Sequence, residues 1–347
     1  MIGELLAIGS VLSFVTSNAI FKRIDTKVSP SQINAFRTII GAITYIIIAA
    51  IIGKIGLIFS FPWQIWLWLI LSFIFGQVIG DTAFFKAQEM LGTTIALSIS
   101  MTFPIFTTII SLFLGIHIPL YFYGSLALII AGVIVIGIGK NKEQKITIIR
   151  TQINEEQKDP EELTVGEQFQ KQEIKNLNDL KNNEQTNQKS IKYLLLAIGI
   201  ALVAALAWSG GVILTEKAIN DVSNFLGTSD VSSLLGNVVR FPVAAGILSL
   251  MSIGNKKTKI KTWNKVTWIL LFLGALIGTS LGAYLYTEAI FSVNAAFVSI
   301  IGSSSPIFSI PISWLINKEK INLIVLKGVL LTTVGLVLIF VLQLVLI

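Results

Sequence analysis

Residues 76–80 read GQVIG, and 202 positions later residues 278–282 read GTSLG. The same shift places PIF at 104–106 opposite PIF at 306–308. The register holds without a gap over 76–115, so chance similarity between two apolar segments is a poor explanation. The sequence therefore predicts a chain built from two related halves.

The composition is that of a membrane protein. Of 347 residues, 54% are hydrophobic and 13% are charged, and the mean hydropathy is +0.80. A bilayer-spanning helix needs about 20 apolar residues. On this basis we predict ten spans, at 3–21, 31–52, 64–88, 92–115, 119–139, 193–215, 231–253, 266–289, 293–316 and 323–346.

A polar segment divides the ten spans into two sets of five. Residues 141–190 are rich in Gln, Asn, Lys and Glu and are too polar to form a core, so we predict a flexible linker there. The expected domains are a first repeat at 1–140, this linker, and a second repeat at 191–347. Since five is odd, the second repeat must be inverted in the membrane. The expected fold is an all-α integral membrane protein of two inverted five-helix repeats, an arrangement typical of secondary transporters.

These features resemble the drug/metabolite transporter superfamily, in its EamA-type permease branch. The residues that carry the resemblance are the G-x-x-x-G motif in the third span of each half, Pro104 and Pro306 in the fourth, Trp208, and the NKEK turn at 317–320. The resemblance implies a ten-helix carrier of small metabolites, with amino acids and related amphipathic compounds as candidate substrates. The sequence departs from the repeat pattern where His117 stands opposite Glu319 and Phe14 opposite Trp208.

Charged residues inside the spans need compensation, because each costs about 2.5–3.5 kcal/mol at a helix centre. Arg37 lies about 9 Å into the second span, and Asp81 lies at a similar depth in the antiparallel third span. We predict that the two residues form a buried ion pair. The alternative is that Asp81 binds a substrate amine or carries a coupling proton, a role for which Glu288 is a second candidate. Lys86 and Glu89 are read as a pair near the span end.

Arg240 matches Arg37 in the repeat, but Ala283 stands where Asp81 would be. We therefore predict that Arg240 binds an anionic group of the substrate, with Tyr284 and Tyr286 at the same level. Pairing of Arg240 with Asp81 across the repeats, or contact with water, are the alternatives. Trp208 is a candidate for the wall of the binding cavity, and core packing is its alternative role.

Glycines and prolines recur in both halves. The G-x-x-x-G motifs favour close helix packing within the fold. Pro104 and Pro306 are predicted to bend the fourth and ninth helices in mid-span.

Other functional classes lack their motifs. The chain has no cysteine and one histidine, which excludes a cysteine or multi-histidine metal site, and no enzyme signature is found. We expect no catalysis and no cofactor. The net charge of +7 arises beside the spans, so a lipid bilayer and a small-molecule substrate are the expected partners, not nucleic acid. We expect a multi-pass permease of the cell membrane; the alternative is a membrane-embedded regulatory or scaffold module that acts through the linker.

Overall fold

The structure, a computed structural model, is helical throughout the part of the chain that it describes. The described residues are 2–21, 23–24, 28, 30–91, 96, 99–115, 119–155, 184–253, 263–317 and 323–346. Within these ranges no residue belongs to a β-strand.

Thirteen α-helices have bounds within the described residues. They are α1 (Ile2–Phe21), α2 (Pro30–Ile51), α3 (Trp63–Phe73), α4 (Asp81–Leu91), α5 (Phe103–Phe113), α6 (Tyr121–Glu155), α7 (Glu184–Leu226), α8 (Ser232–Ile253), α9 (Lys265–Gly274), α10 (Ala283–Val293), α11 (Ala295–Ser303), α12 (Ser305–Asn317) and α13 (Leu323–Leu346). Two π-helical segments, π1 (Ile74–Gly80) and π2 (Ala275–Gly282), join α3 to α4 and α9 to α10. A 3₁₀ helix covers Ile55–Ser60.

Seven helical stretches among the described residues are long and apolar enough to cross a membrane. They are Ile2–Phe21, Ser31–Ile51, Trp63–Phe84, Phe122–Gly139, Leu195–Leu226, Ser232–Ser252 and Lys265–Val293. Phe103–Phe113 and Leu323–Gly335 are shorter apolar helices, in the fourth and tenth predicted spans. The ninth predicted span is divided at Ser304 into α11 and α12. The all-helical membrane architecture is confirmed at this level of seven candidate spans.

Three helix boundaries on either side of the predicted linker differ from the sequence prediction. Helix α7 continues to Leu226 rather than ending near 215, because its charges have partners. Lys217 pairs with Asp221 of the same helix at 3.2 Å, and Glu216 accepts a hydrogen bond from the Ala295 amide of α11 at 2.9 Å. The predicted linker is helical at both ends, since α6 runs to Glu155 and α7 begins at Glu184. Residues 156–183 lie outside the described residues.

The two halves have corresponding local structure. Helix α4 begins at Asp81 and α10 begins 202 positions later at Ala283, each directly after a π-helical segment. Thr102 and Ser304 precede α5 and α12 with the same backbone angles, φ −77° and ψ 0°. The repeat seen in the sequence is therefore also a repeat of irregular backbone features, which apolar composition alone would not produce.

Each half contributes its first helix to the other half. Helix α1 packs on π2 and α10, while α7 packs on α3, π1 and α4. The pairs α2 with α8 and α6 with α13 join equivalent helices of the two halves. This reciprocal packing forms two large apolar clusters, one around Phe297 and one around Phe241.

The glycine motifs permit these close approaches. A Cβ atom on Gly80 would lie 2.4 Å from Cδ1 of Trp208, and one on Gly278 would lie 2.3 Å from Cβ of Ser17. The prediction that the G-x-x-x-G motifs pack within the fold is confirmed.

The prolines occupy a different place from the predicted one. Pro104 lies in the first turn of α5, and Pro306 is the second residue of α12. In both halves the span is interrupted two residues earlier, at Thr102 and Ser304, instead of bending in mid-helix at the proline. A first-turn proline is tolerated because its missing N–H would have no intrahelical partner. Pro242 and Pro311 lie inside helices.

Candidate functional site

The first polar cluster surrounds Asp81, the residue that begins α4 directly after π1. Nη2 of Arg37 lies 3.0 Å from Oδ2 of Asp81, so the predicted ion pair is present. The indole Nε1 of Trp208 donates to the other carboxylate oxygen at 3.0 Å. Both carboxylate oxygens thus accept a hydrogen bond, one from each half of the chain.

Two amide side chains extend this cluster. Nε of Arg37 donates to Oδ1 of Asn34 at 2.7 Å, and Nε2 of Gln77 donates to the same oxygen at 3.1 Å. Asn34 was missed by the sequence reasoning, although a signal was available. The pattern Asn-x-x-Arg occurs in both halves, as Asn34 with Arg37 and as Asn237 with Arg240.

Backbone geometry positions the Trp208 indole. Its ring lies against Gly80, the last residue of π1, where any side chain would collide with it. Phe84 packs on the same ring, with centroids 5.4 Å apart. Trp208 therefore combines packing with a specific hydrogen bond. π-helical segments are frequently found at functional sites, where they turn side chains out of the regular helical order.

The second polar cluster surrounds Arg240 on α8. Its guanidinium donates to Thr215 at 2.8 Å, to Asn237 at 3.2 Å and to Thr287 at 3.4 Å. It also lies over the Phe73 ring, 4.5 Å from the centroid. All of these partners are electrically neutral.

Neither alternative role for Arg240 is found in the structure. The residue is 4% exposed, so it does not reach water. The Asp81 carboxylate is engaged by Arg37 and Trp208, and no carboxylate among the described residues lies within ion-pair distance of Arg240. The cation is therefore buried without an acidic partner in the described part of the chain.

Two donors in the second cluster lack acceptors. Among the described residues, Nε of Arg240 and Nδ2 of Asn237 make no hydrogen bond, and both residues are buried. The Tyr45 hydroxyl donates to the Ser280 carbonyl of π2 at 2.6 Å, and its oxygen lies near the Asn237 side chain. Each unpaired buried donor costs about 1–3 kcal/mol. The second cluster is consequently less well satisfied than the first.

The remaining candidates lie on α10. Tyr286 is within electrostatic range of Arg240 and meets Phe14 edge to face, with centroids 6.3 Å apart. Tyr284 packs against the apolar cluster around Phe241. Glu288 is one turn beyond Tyr284 and does not join the Arg37–Asp81 pair. The structure thus places Tyr286 within electrostatic range of Arg240, and it places Trp208 with Asp81 instead.

Two further acids were missed as candidates. Glu4 of α1 is 2% exposed, and Glu216 of α7 caps the amino end of α11 through the Ala295 amide. Asn294, with φ 110°, caps the same helix by accepting from the Phe297 amide at 2.9 Å. Within the described residues no three His, Cys, Asp or Glu side chains are grouped so that they could hold a metal ion. His117, Glu319 and the Glu89 side chain, and with it the predicted Lys86–Glu89 pair, lie outside what is described.

The chain matches the model of the EamA-like transporter family over residues 1–138 and 195–341. Since these regions make up most of the sequence, the chain belongs to this family, which is part of the drug/metabolite transporter superfamily. It is therefore a membrane protein of a transporter family. No curated protein matches it significantly.

Solved structures also match the chain, 19 of them significantly. One, described as "Crystal structure of protein", is 14% identical with a TM-score of 0.66, over 98% of this chain and 96% of its own. At this identity the likeness shows a shared fold alone.

Proposed function

We propose that the protein is a secondary transporter that moves a small metabolite across the cell membrane by alternating access. In this proposal ten spans form two inverted five-helix repeats, residues 1–140 and 191–347, joined by the linker 141–190. It has no catalytic activity and no cofactor. The candidate substrates are amino acids and related amphipathic compounds, in keeping with the family resemblance.

One observation carries the proposal: the reciprocal packing of the halves encloses both polar clusters. Helix α7 of the second half supplies Trp208 to Asp81, and Phe73 of the first half covers Arg240. Inverted-repeat transporters bind substrate between the halves near the membrane midplane, often beside irregular helices. π1 and π2 lie at these contacts.

Within this proposal the two clusters have different tasks. Arg240 with Tyr286 binds substrate, and Tyr284 and Trp208 contribute apolar surface. Arg37 with Asp81 forms an ion pair that breaks during the transport cycle, so that Asp81 carries a coupling proton; Glu288 is the second coupling candidate.

The direct test is transport by the full-length protein in liposomes. Vesicles are loaded with a total extract of small metabolites, and mass spectrometry identifies the compounds that leave faster than from protein-free vesicles. We expect a small set of chemically related compounds to be released. Release of none would contradict the proposal.

Alternating access is tested by cross-linking each end of the molecule. Phe61 and Phe225 meet at one end of α2, with ring centroids 5.9 Å apart, and Phe36 and Trp268 meet towards its other end, at 5.2 Å. Each contact joins the two halves, and the chain has no cysteine of its own. Each cysteine pair, joined by a cleavable bifunctional reagent, should stop transport until the reagent is cleaved. Transport that continues through either cross-linked form would argue for a static pore.

A further inference from the structure

The buried donors around Arg240 point to a specific kind of ligand. Nε of Arg240 and Nδ2 of Asn237 belong to residues that are 4% and 0% exposed, and neither atom has an acceptor among the described residues. Buried donors in folded proteins are nearly always paired. The two residues lie three positions apart on one face of α8, and Nη1 of Arg240 donates to Oδ1 of Asn237 at 3.2 Å.

The first half shows which group accepts hydrogen bonds from an arginine in the Asn-x-x-Arg pattern. There, Asn34 and Arg37 occupy the equivalent positions, and a carboxylate, that of Asp81, accepts from Arg37 at 3.0 Å. In the second half Ala283 stands at the position of Asp81. Ala283 lies one helical turn before Thr287, whose hydroxyl is 3.4 Å from Nη1 of Arg240. By analogy with Asp81, a carboxylate at the place of the Ala283 side chain would lie towards the Arg240 guanidinium.

A third donor is available in the second half. Trp208 donates to Asp81, but its counterpart Phe14 has no donor. Phe14 instead packs edge to face on Tyr286, as Trp208 packs on Phe84. The Tyr286 hydroxyl lies within electrostatic range of Arg240. A phenol thus replaces the indole as the nearby donor.

We infer that Arg240, Asn237 and Tyr286 bind the carboxylate of a transported monocarboxylate, which takes the place that Asp81 has in the first half. This inference rests on the proposed transport function and names its substrate class. Arginine suits a carboxylate because its planar guanidinium donates two parallel hydrogen bonds.

Charge balance favours a single carboxylate over a phosphate. The groups in contact with Arg240 are neutral, and no second cation of the described residues acts on the guanidinium. A monoanion neutralises one buried arginine, whereas a dianionic phosphate would leave a buried negative charge.

An amino group is not required of the ligand. Asp81, the acid that could pair with an ammonium group, already accepts from Arg37 and Trp208. The substrate class is therefore monocarboxylates in general, and amino acids are included only as carboxylates. A site for zwitterions would also need an acid free to pair with the ammonium group, and the site proposed here does not.

The first experiment supplies the missing acid within the chain. Ala283→Asp should pair with Arg240, and Ala283→Asn is the neutral control of the same shape. We expect Ala283→Asp to melt a few degrees above Ala283→Asn in detergent, and this difference to disappear in an Arg240→Gln background. If Asp at 283 is no better than Asn while Arg240 is present, the place beside Arg240 does not accept a carboxylate and the inference is overturned.

The second experiment uses external ligands on the full-length protein. Acetate, hexanoate and benzoate are compared with acetamide, hexanamide and benzamide by thermal shift. We expect at least one carboxylate to stabilise the wild type while its amide does not. Binding should weaken by at least about thirtyfold in Arg240→Gln and disappear in Ala283→Asp, where the new side chain occupies the place of the ligand.

The remaining outcomes separate this inference from the transport function. Equal stabilisation of wild type and Ala283→Asp by a carboxylate places its site elsewhere and overturns the inference. Stabilisation by amides alone, or by no member of the panel, overturns the carboxylate class. In each of these cases the liposome assay, which needs no assumption about substrate charge, still decides whether the protein is a transporter.

Discussion

The two arginine clusters of this protein share the pattern Asn-x-x-Arg but differ in the partners of the arginine. In the first half Arg37 is partly exposed, paired with Asp81 and linked to Asn34. In the second half Arg240 is more deeply buried and contacts only neutral groups among the described residues. One substitution relative to the repeat, alanine for aspartate at 283, accounts for most of the difference.

This difference shows how an internal repeat can divide structural and functional roles. An arginine that carries its own acid is electrostatically complete, and in the first half that acid also accepts a hydrogen bond from Trp208 of the other half. A buried arginine without an acid needs an anion from outside the repeat to neutralise its charge. The cost of that imbalance is several kcal/mol per buried ion, which is the reason we assign binding to the second cluster.

The largest expected effect comes from removing the acid of the first cluster. Asp81→Ala leaves the partly buried Arg37 without a charged partner, and loss of one partner costs up to about 3–5 kcal/mol when the pair is fully buried. We expect a large fall in the melting temperature of the purified protein. The double variant Asp81→Ala with Arg37→Leu should recover part of this loss, because no unpaired charge remains. If the double variant is as unstable as the sum of the two single variants, the two residues are not energetically coupled.

The sequence predicted this pair because both residues are visible as charges in apolar runs. The antiparallel order of consecutive helices then fixed their relative depth. The sequence did not predict that Trp208 donates a hydrogen bond to Asp81, because an indole in an apolar span looks like a core residue. Only the meeting of α7 with Gly80 shows that its Nε1 reaches Asp81.

The sequence also did not predict where the backbone departs from regular α-helix. The G-x-x-x-G motif indicated close packing, but it did not indicate that π1 and π2 are π-helical. The bend predicted at Pro104 was misplaced for a similar reason: proline also favours the first turn of a helix, and the interruption at Thr102 turns that position into a helix start.

The next effect tests the hydrogen bond from the second half to the first. Trp208→Phe keeps an aromatic ring against Gly80 and Phe84 but removes the donor to Asp81. Hydrogen bonds to charged groups contribute about 1.5–3 kcal/mol, so we expect a loss of this size in a denaturation measurement. In an Asp81→Asn background the loss should be smaller. An equal loss in both backgrounds would mean that Trp208 acts through packing alone.

A smaller contrast compares the equivalent glycines that end π1 and π2. A Cβ at Gly80 would lie 2.4 Å from the rigid indole of Trp208, whereas a Cβ at Gly282 would lie 3.0 Å from Cβ of Ser13. Overpacking costs about 1–3 kcal/mol, so Gly80→Ala should destabilise the protein by an amount in this range and Gly282→Ala by less. The ranking of the two melting temperatures is the measurement. A reversed ranking would show that π1 and its neighbours shift to accommodate the added methyl group more easily than π2 does.

The smallest expected effect concerns the segment between the halves. Replacing residues 156–183 by a Gly/Ser sequence of equal length keeps α6 and α7 and removes every charge in the exchanged segment. If both clusters carry out transport, liposome transport by this variant should equal that of the wild type, because neither Arg37 nor Arg240 lies near the exchanged segment in the chain. A scrambled segment of the original composition is the matched control. Loss of transport with the Gly/Ser segment, but not with the scrambled one, would assign the linker charges a role that the two arginine clusters do not supply.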